Sequence, residues 1–242
     1  MMLPVVILAG GLGTRLGALT GGLPKPLVDV QGQPFLAHQL QLLRRHGVKR
    51  VVLSIGHRAE LIETAIGDGA AFGLQVDYVR DGDTPLGTGG AVRRAAPLLA
   101  DSFFVLYGDS YLDVDYAAVQ RQFEQSGDPA LMVVFRNDGR WDTSNVRLAD
   151  GRIIAYDKWH PAPDMAYIDY GLGVFRRQVF DALPADQPAD LASIYHQLAT
   201  AGTLAGFEAP QRFYEVGSPE GLAEFRAFIA GRPNKQGPET QQ

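Results

Sequence analysis

The 242-residue chain contains no cysteine. Disulfides, thiolate metal sites and cysteine nucleophiles are therefore excluded, and a reducing cytoplasm fits. Long apolar runs are also missing. The N-terminal "VVILA" falls far short of the roughly 20 residues that span a bilayer, and no basic segment precedes it, so it reads as a buried strand and no membrane partner is expected. Positive charge is nowhere concentrated: 22 Lys and Arg stand against 27 Asp and Glu, a net charge of -5. Without a basic block, nucleic acid is not expected as the main partner. A few placed cations still suffice to dominate a pocket for a small anion. The five histidines (His38, His46, His57, His160 and His196) show no metal-ligand spacing, which leaves zinc little support. What remains is an ordinary globular composition, 46% apolar and 20% charged, on a chain long enough to bury a core without staples.

The N-terminal part alternates strand-like and helix-like segments. "VVILA", "RVVLSIG", "LQVDYVRD" and "SFFVLYGD" are apolar and β-branched, as strands covered on both faces are. Between them, "FLAHQLQLLRRHGV" and "RAELIETAIGDG" have helical spacing and a glycine stop, and "GTGGAVRRAAPLL" reads as a loop leading into a helix. This alternation implies βαβ units and a mostly parallel sheet with helices on both faces. After "LYGDS" the rhythm changes. "YAAVQRQFEQ" is helical, "ALMVVFR" is a strand, Asp150-Gly151 marks a hairpin turn and "MAYIDYGLGVF" is another strand-like piece. "DLASIYHQLATAG" and "SPEGLAEFRAFIAG" are helical. The expectation is one domain over residues 1–231, with halves at about 1–115 and 116–231, and a disordered polar tail over 232–242.

Ligands of open α/β sheets bind at the carboxyl ends of the strands. "ILAGGLGTRL" lies at such an end. Gly10, Gly11 and Gly13 let amides face a phosphate chain, although a plain strand-to-helix turn would use the same residues. The loop is not a Walker A motif, which needs Gly-Lys-Ser/Thr, nor a dinucleotide fingerprint, whose third glycine would fall at Leu16. In "LPKPL", Lys25 is held between two prolines that restrict the backbone. Arg15 and Lys25 together suit a triphosphate, and either alone would pass for a surface charge. Asp109 in "LYGDS" ends the fourth strand, where a carboxylate is a good magnesium ligand or a turn cap. "TPLGTGGAV" offers glycines that admit a flat base, or a helix start with Thr88 as N-cap.

Together these pieces resemble the sugar-1-phosphate nucleotidylyltransferases, whose pattern is a strand, Gly-Gly-x-Gly-Thr-Arg-Leu, then Pro-Lys-Pro/Ala-Leu. Here the matching residues are "GGLGTRL" and "LPKPL", followed by "PLGTGGA", "GDS", "YDKW" and "FYEVGSPEGL". The similarity is nearest to the D-glycero-D-manno-heptose 1-phosphate guanylyltransferase-like branch. It implies an α/β fold, a Rossmann-like three-layer sandwich with a mixed, mostly parallel central sheet. It also implies transfer of a nucleoside monophosphate from a nucleoside triphosphate, GTP favoured, to a sugar 1-phosphate, with Mg2+ as cofactor and a homo-oligomer left open. On that pattern Leu8, Ala9, Gly10, Gly11, Gly13, Thr14, Asp81, Gly87 and Thr88 take the nucleotide. Arg15 and Lys25 carry the catalysis. Asn145, Lys158, Asp169 and Gly171 face the sugar phosphate, and Asp109 and Glu215 hold the metal.

The sequence departs from the pattern in three places. "YEVG" supplies Glu215 where Asp is usual, "GALTGG" lacks a proline often found after Arg-Leu, and "YIDYG" replaces an Asn-Ala-Gly-like segment. Two other readings stay open at this stage. One is a cytidylyl- or uridylyltransferase acting on another phosphorylated small molecule. The other is a non-catalytic subunit that binds nucleotide sugar, which would be expected to lack Arg15, Lys25 or Asp109.

Overall fold

The structure is a computed structural model that describes residues 1–11, 20–82, 85–137, 139–184 and 187–232. Gly13, Thr14, Arg15 and the tail from residue 233 onward lie outside the described residues.

A nine-stranded sheet forms the centre. In chain order its strands are β1 (Val5–Leu8), β4 (Arg50–Ile55), β5 (Gln75–Arg80), β6 (Ser102–Tyr107), β8 (Ala130–Arg136), β9 (Val146–Ala149), β10 (Arg152–Tyr156), β11 (Tyr167–Arg176) and β12 (Leu204–Glu208). Their spatial order is β5-β4-β1-β6-β11-β8-β12-β10-β9. β5, β4, β1 and β6 pair in parallel, and so do β8 and β12. Only β11 and β10 run against the rest, so the sheet is mixed but mostly of one direction. Two-residue strands form separate small ladders: β2 (Asp29–Val30) with β3 (Gln33–Pro34), and β7 (Ser110–Tyr111) with β13 (Tyr214–Glu215).

β1 reads as a continuous apolar run because both of its faces are covered. Val5 and Ile7 pack with α1 (Phe35–Arg45), α2 (Ala59–Ile66) and α4 (Tyr116–Ser126), while Val6 packs with α3 (Gly87–Ala95) and α5 (Leu191–Thr200). Helix, sheet and helix make the three layers. α6 (Pro219–Ala230) builds a smaller core in which Phe225 meets Phe35 edge-on at 5.1 Å. Its start follows N-terminal capping chemistry, with the Ser218 side chain accepting from Gly221 N and Pro219 in the first turn. The hairpin turn falls at Asp150-Gly151, with φ of 48° and 72°, the pair of positive values a tight hairpin needs.

Two sequence expectations are corrected. The "GTGG" cluster is not a loop before a helix but the first turn of α3, so Thr88 lies inside that helix and does not cap it; the N-cap position is Leu86. β12, between β8 and β10, was not expected from the sequence at all.

Candidate active site

The first cavity opens at the carboxyl ends of β1, β4, β5 and β6 and measures about 250 Å³. Past the strand ends the parallel ladder continues by single hydrogen bonds: Ala9 N donates to Ser54 O at 2.8 Å and Gly108 N to Leu8 O at 3.0 Å. The chains run so close that side chains are excluded. A Cβ on Gly108 would stand 2.5 Å from Leu8 O, and one on Gly10 would stand 2.3 Å from the Asp81 carboxylate. These glycines therefore serve close approach of backbone. Asp81 accepts a hydrogen bond from Ser54 Oγ at 3.1 Å, and burial raises its pKa above the usual carboxylate range.

Lys25 and Asp109 meet in this cavity. Their Nζ and Oδ2 atoms are 2.6 Å apart, with both side chains mostly buried. Lys25 sits in a short 3-10 turn, Lys25–Leu27, that follows Pro24. The backbone on either side of Asp109 is clamped from α1: Gln39, 1% exposed, donates through Nε2 to Tyr107 O at 3.2 Å and Ser110 O at 2.7 Å. Asp109 thus faces a cation from a rigid support.

The α3 glycine turn borders the same cavity but is largely engaged elsewhere. Gly89 N and Gly90 N both donate to Ala189 O, at 2.8 and 3.2 Å, so those two amides are spent on docking the start of α5. Thr88 Oγ1 donates to Asp190 Oδ1 at 3.0 Å and accepts from Leu191 N at 2.8 Å. Asp190 in turn caps α5 through Ala192 N and lies 3.8 Å from Lys158 Nζ. Gly87 and Thr88 still line the cavity.

A second group forms where β11 bulges between Asp169 and Gly173. Asn145 Oδ1 accepts from Asp169 N at 3.3 Å, and Asp169 Oδ1 accepts from Gly171 N at 2.9 Å. Burial pushes the Asp169 pKa up to about 6, against the pull of the Gly171 amide and the Lys158 charge. Gly171 takes φ of +85° and packs against Tyr107 and Ser110, the neighbours of Asp109. The bulge thereby joins the sugar-side candidates to the first cavity's rim.

Glu215 reaches the same neighbourhood through the small β7–β13 ladder. It pairs with Ser110, and Val216 N donates to Asp109 O at 2.8 Å. Glu215 lines a second cavity of about 300 Å³, walled by Phe135, Trp141, Arg212 and Phe213. Asp109 and Glu215 are thus neighbours by backbone pairing, each bordering a different cavity. Two hard oxygen donors of this kind suit Mg2+, which keeps several waters and completes its shell with substrate phosphates. Among the described residues no group of three or more His, Asp and Glu gathers as a closed protein cage.

Of the residues singled out in the sequence, Leu8, Ala9, Gly10, Gly11, Lys25, Asp81, Gly87, Thr88 and Asp109 line one cavity. Asn145, Asp169 and Gly171 cluster beside it, with Lys158 acting on Asp169 through its charge. Gly13, Thr14 and Arg15 lie outside the described residues. The sequence reading missed Gln39, Ser54, Tyr107 and Asp190. None belongs to a recognisable pattern, and each matters only through contacts across the chain.

A cavity at the carboxyl ends of four parallel strands, walled by Gly10 and Gly11 and holding the Lys25–Asp109 pair, marks the candidate site of a Rossmann-like α/β protein. The chain belongs to the Nucleotidyl transferase family, which matches residues 4–230 and is a family of transferases. It is 31% identical over 247 residues to the mannose-1-phosphate guanylyltransferase of Mycobacterium tuberculosis, covering 98% of this chain and 68% of that protein. Over 115 residues it is 33% identical to the D-glycero-alpha-D-manno-heptose 1-phosphate guanylyltransferase of Campylobacter jejuni, covering 48% of this chain and 51% of that one. The crystal structure of HddC from Yersinia pseudotuberculosis complexed with GMP-PN superposes with a TM-score of 0.77 at 28% identity, covering 94% of this chain and all of that one. The first curated relatives are longer, and this chain spans 52% to 68% of their length. Their names include uridylyl- and thymidylyltransferases as well as guanylyltransferases. No helix among the described residues is long and apolar enough to cross a membrane.

Proposed function

We propose that this protein transfers guanylate from GTP to a sugar 1-phosphate of the hexose or heptose type, yielding a GDP-sugar and pyrophosphate. The observation that carries this reading is the meeting of Lys25 and Asp109, 84 positions apart in sequence, inside a cavity walled by the glycine loop. In the reaction an oxygen of the sugar phosphate forms a bond to the α-phosphorus, and the bond to the bridging oxygen of the β-phosphate breaks. The attacking oxygen is already anionic, so no general base is needed. The barrier lies in bringing two anions together and in the charge that grows on pyrophosphate, which positioning and fixed cations lower.

Lys25 is suited to the α-phosphate region, Lys158 to the sugar phosphate, and Arg15, on the family pattern, to the departing phosphates. Mg2+, held by Asp109 and Glu215, would supply further charge neutralisation when bound. Gln39 fixes the strand end that carries Asp109. Asp81 supports guanine as the base. A carboxylate on the cavity wall is an acceptor-only group, and guanine presents adjacent N–H donors on one edge, where a pyrimidine presents a single ring N–H between two carbonyls. The relatives named as guanylyltransferases support the same choice.

The test is pyrophosphate release from GTP, ATP, UTP, CTP and dTTP, each paired with mannose, glucose and D-glycero-D-manno-heptose 1-phosphates. GTP is expected to exceed the others in kcat/KM at least tenfold. Preference for UTP or CTP would overturn the base assignment while keeping the reaction. Binding of nucleotide sugar without pyrophosphate from any pair would favour a non-catalytic binding subunit.

A further inference from the structure

The second cavity has features that the transfer reaction alone does not require. It opens where β8 and β12 end, on the same edge of the sheet as Asp109, because both strands run in the direction of β6. Trp141 lines it while remaining 50% exposed, so that part of its ring surface is open to a ligand. The backbone that carries the indole is anchored. Asn137 is fully buried, and its side chain accepts from Trp141 N at 2.9 Å and donates to Asp142 O and to Ser144 Oγ. A buried amide committed to a loop fixes that loop's shape. The Arg212 guanidinium lies 3.8 Å from the centre of the Trp141 ring and 4.8 Å from that of Tyr214, tethered by Glu224 at 2.7 Å. The same loop ends at Asn145, which holds the Asp169 backbone in the sugar-side cluster.

We infer that Trp141 is the platform on which the acceptor's sugar ring lies, and that the acids around it select a sugar ring carrying no negative charge. The identity of the ligand as a sugar phosphate rests on the proposed function; the platform and its charge do not. An indole face accommodates the C–H face of a pyranose, and carboxylates accept hydrogen bonds from its hydroxyls. With Glu215 assigned to the metal and Glu224 tied to Arg212, the lining still carries Asp142 and Glu220 with no further base to balance them. A carboxylate or second phosphate on the sugar would enter against that excess, whereas a neutral ring with its phosphate directed to Lys25 and Lys158 would not. The acceptor is thus divided: cations for the phosphate end, aromatic and acid groups for the ring.

Two measurements test this. In a Trp159→Phe background Trp141 is the sole tryptophan, since the chain has two. Titration with mannose, glucose and D-glycero-D-manno-heptose 1-phosphates is expected to change its fluorescence saturably for at least one. Glucuronic acid and N-acetylmuramate 1-phosphates should bind at least tenfold more weakly. In steady-state assays Trp141→Ala should raise acceptor KM tenfold or more and leave the nucleotide KM within twofold, and Trp141→Phe should restore most of the loss. Asp142→Asn with Glu220→Gln should raise the relative use of glucuronic acid 1-phosphate at least fivefold. An acceptor KM unmoved by Trp141→Ala, or equal use of charged and neutral sugars by the unaltered protein, would overturn the inference. If no substrate pair releases pyrophosphate, the transfer reaction is lost and the titration still decides: a neutral sugar phosphate that perturbs Trp141 upholds the platform, and silence from all of them removes it.

Discussion

One sheet edge carries two cavities made in different ways. The first is built from backbone. Four parallel strands end together, and Gly10 and Gly108 keep their chains too close for a Cβ. The second is built from side chains on longer loops beyond β8 and β12, with an indole, a stacked guanidinium and several acids. Backbone amides recognise what every nucleoside triphosphate shares, whereas side chains can be exchanged one at a time without disturbing strands. A common donor and a variable acceptor would call for that division. Lys25 and Asp109 stand on the first side of the seam, Glu215 on the second, and the β7–β13 ladder ties them.

The largest effect should come from the cations assigned to the reacting phosphates. Lys25→Ala is expected to lower kcat by ~10²–10³ even with both substrates saturating, because on the proposed reaction the lost charge would act on the transition state. Arg15→Ala is expected to abolish turnover while urea unfolding stays normal. Full activity in either variant would remove the electrostatic account. A smaller and one-sided loss is expected from Asp81→Asn. Exchanging one carboxylate oxygen for an amide donor should cost GTP about 10- to 100-fold in kcat/KM, the value of one bidentate base contact, with acceptor KM unchanged. A loss that spreads equally over all five triphosphates would show that Asp81 holds the loop and not the base.

The two sides were also unequally legible in the sequence. The first side depends on consecutive residues: "VVILAGG", "LPKPL" and "LYGDS" each carry strand, turn and polar group in one stretch, and all three meet in the cavity. The second side depends on register. β11 is visible as "MAYIDYGLGVF", but the bulge that turns Asp169 toward Asn145 arises only when the strand pairs with both β6 and β8. β12 was invisible because "LAGFE" is short and has Gly206 at its centre, where Leu148 of β9 and Ile153 of β10 pack. The "GTGG" cluster misled in a different way. Its glycines suggested room for a base, yet two of its amides are consumed by Ala189, more than 90 residues away.

Asp169 separates the sides by pH. Its folded pKa of about 6 stands above the ordinary 3.8, so between those values the native state holds a proton that the unfolded chain releases. The native state is therefore favoured most below pH 4 and loses that advantage as pH rises through 6. Asp169→Asn, which stays neutral, should match the unaltered protein at pH 4 and exceed it by about 2 kcal/mol at pH 7, allowing for solvent screening. Urea unfolding at both pH values checks this, and an equal difference at the two would show that Asp169 is held ionised.

The smallest effect concerns the join between α3 and α5. Thr88→Val keeps shape but removes the oxygen that accepts from Leu191 N and donates to Asp190. A partly buried amide loses its partner, at a cost of about 1–2 kcal/mol. Asp190 keeps its cap on Ala192 N and its proximity to Lys158. If Thr88 matters chiefly as a joint, the urea midpoint falls while the KM values for nucleotide and acceptor move together and little. If instead it touches the base, the nucleotide KM rises alone and the midpoint barely shifts. The hydrogen bonds favour the joint, because the hydroxyl's single donor and one of its two lone pairs are already engaged within the protein.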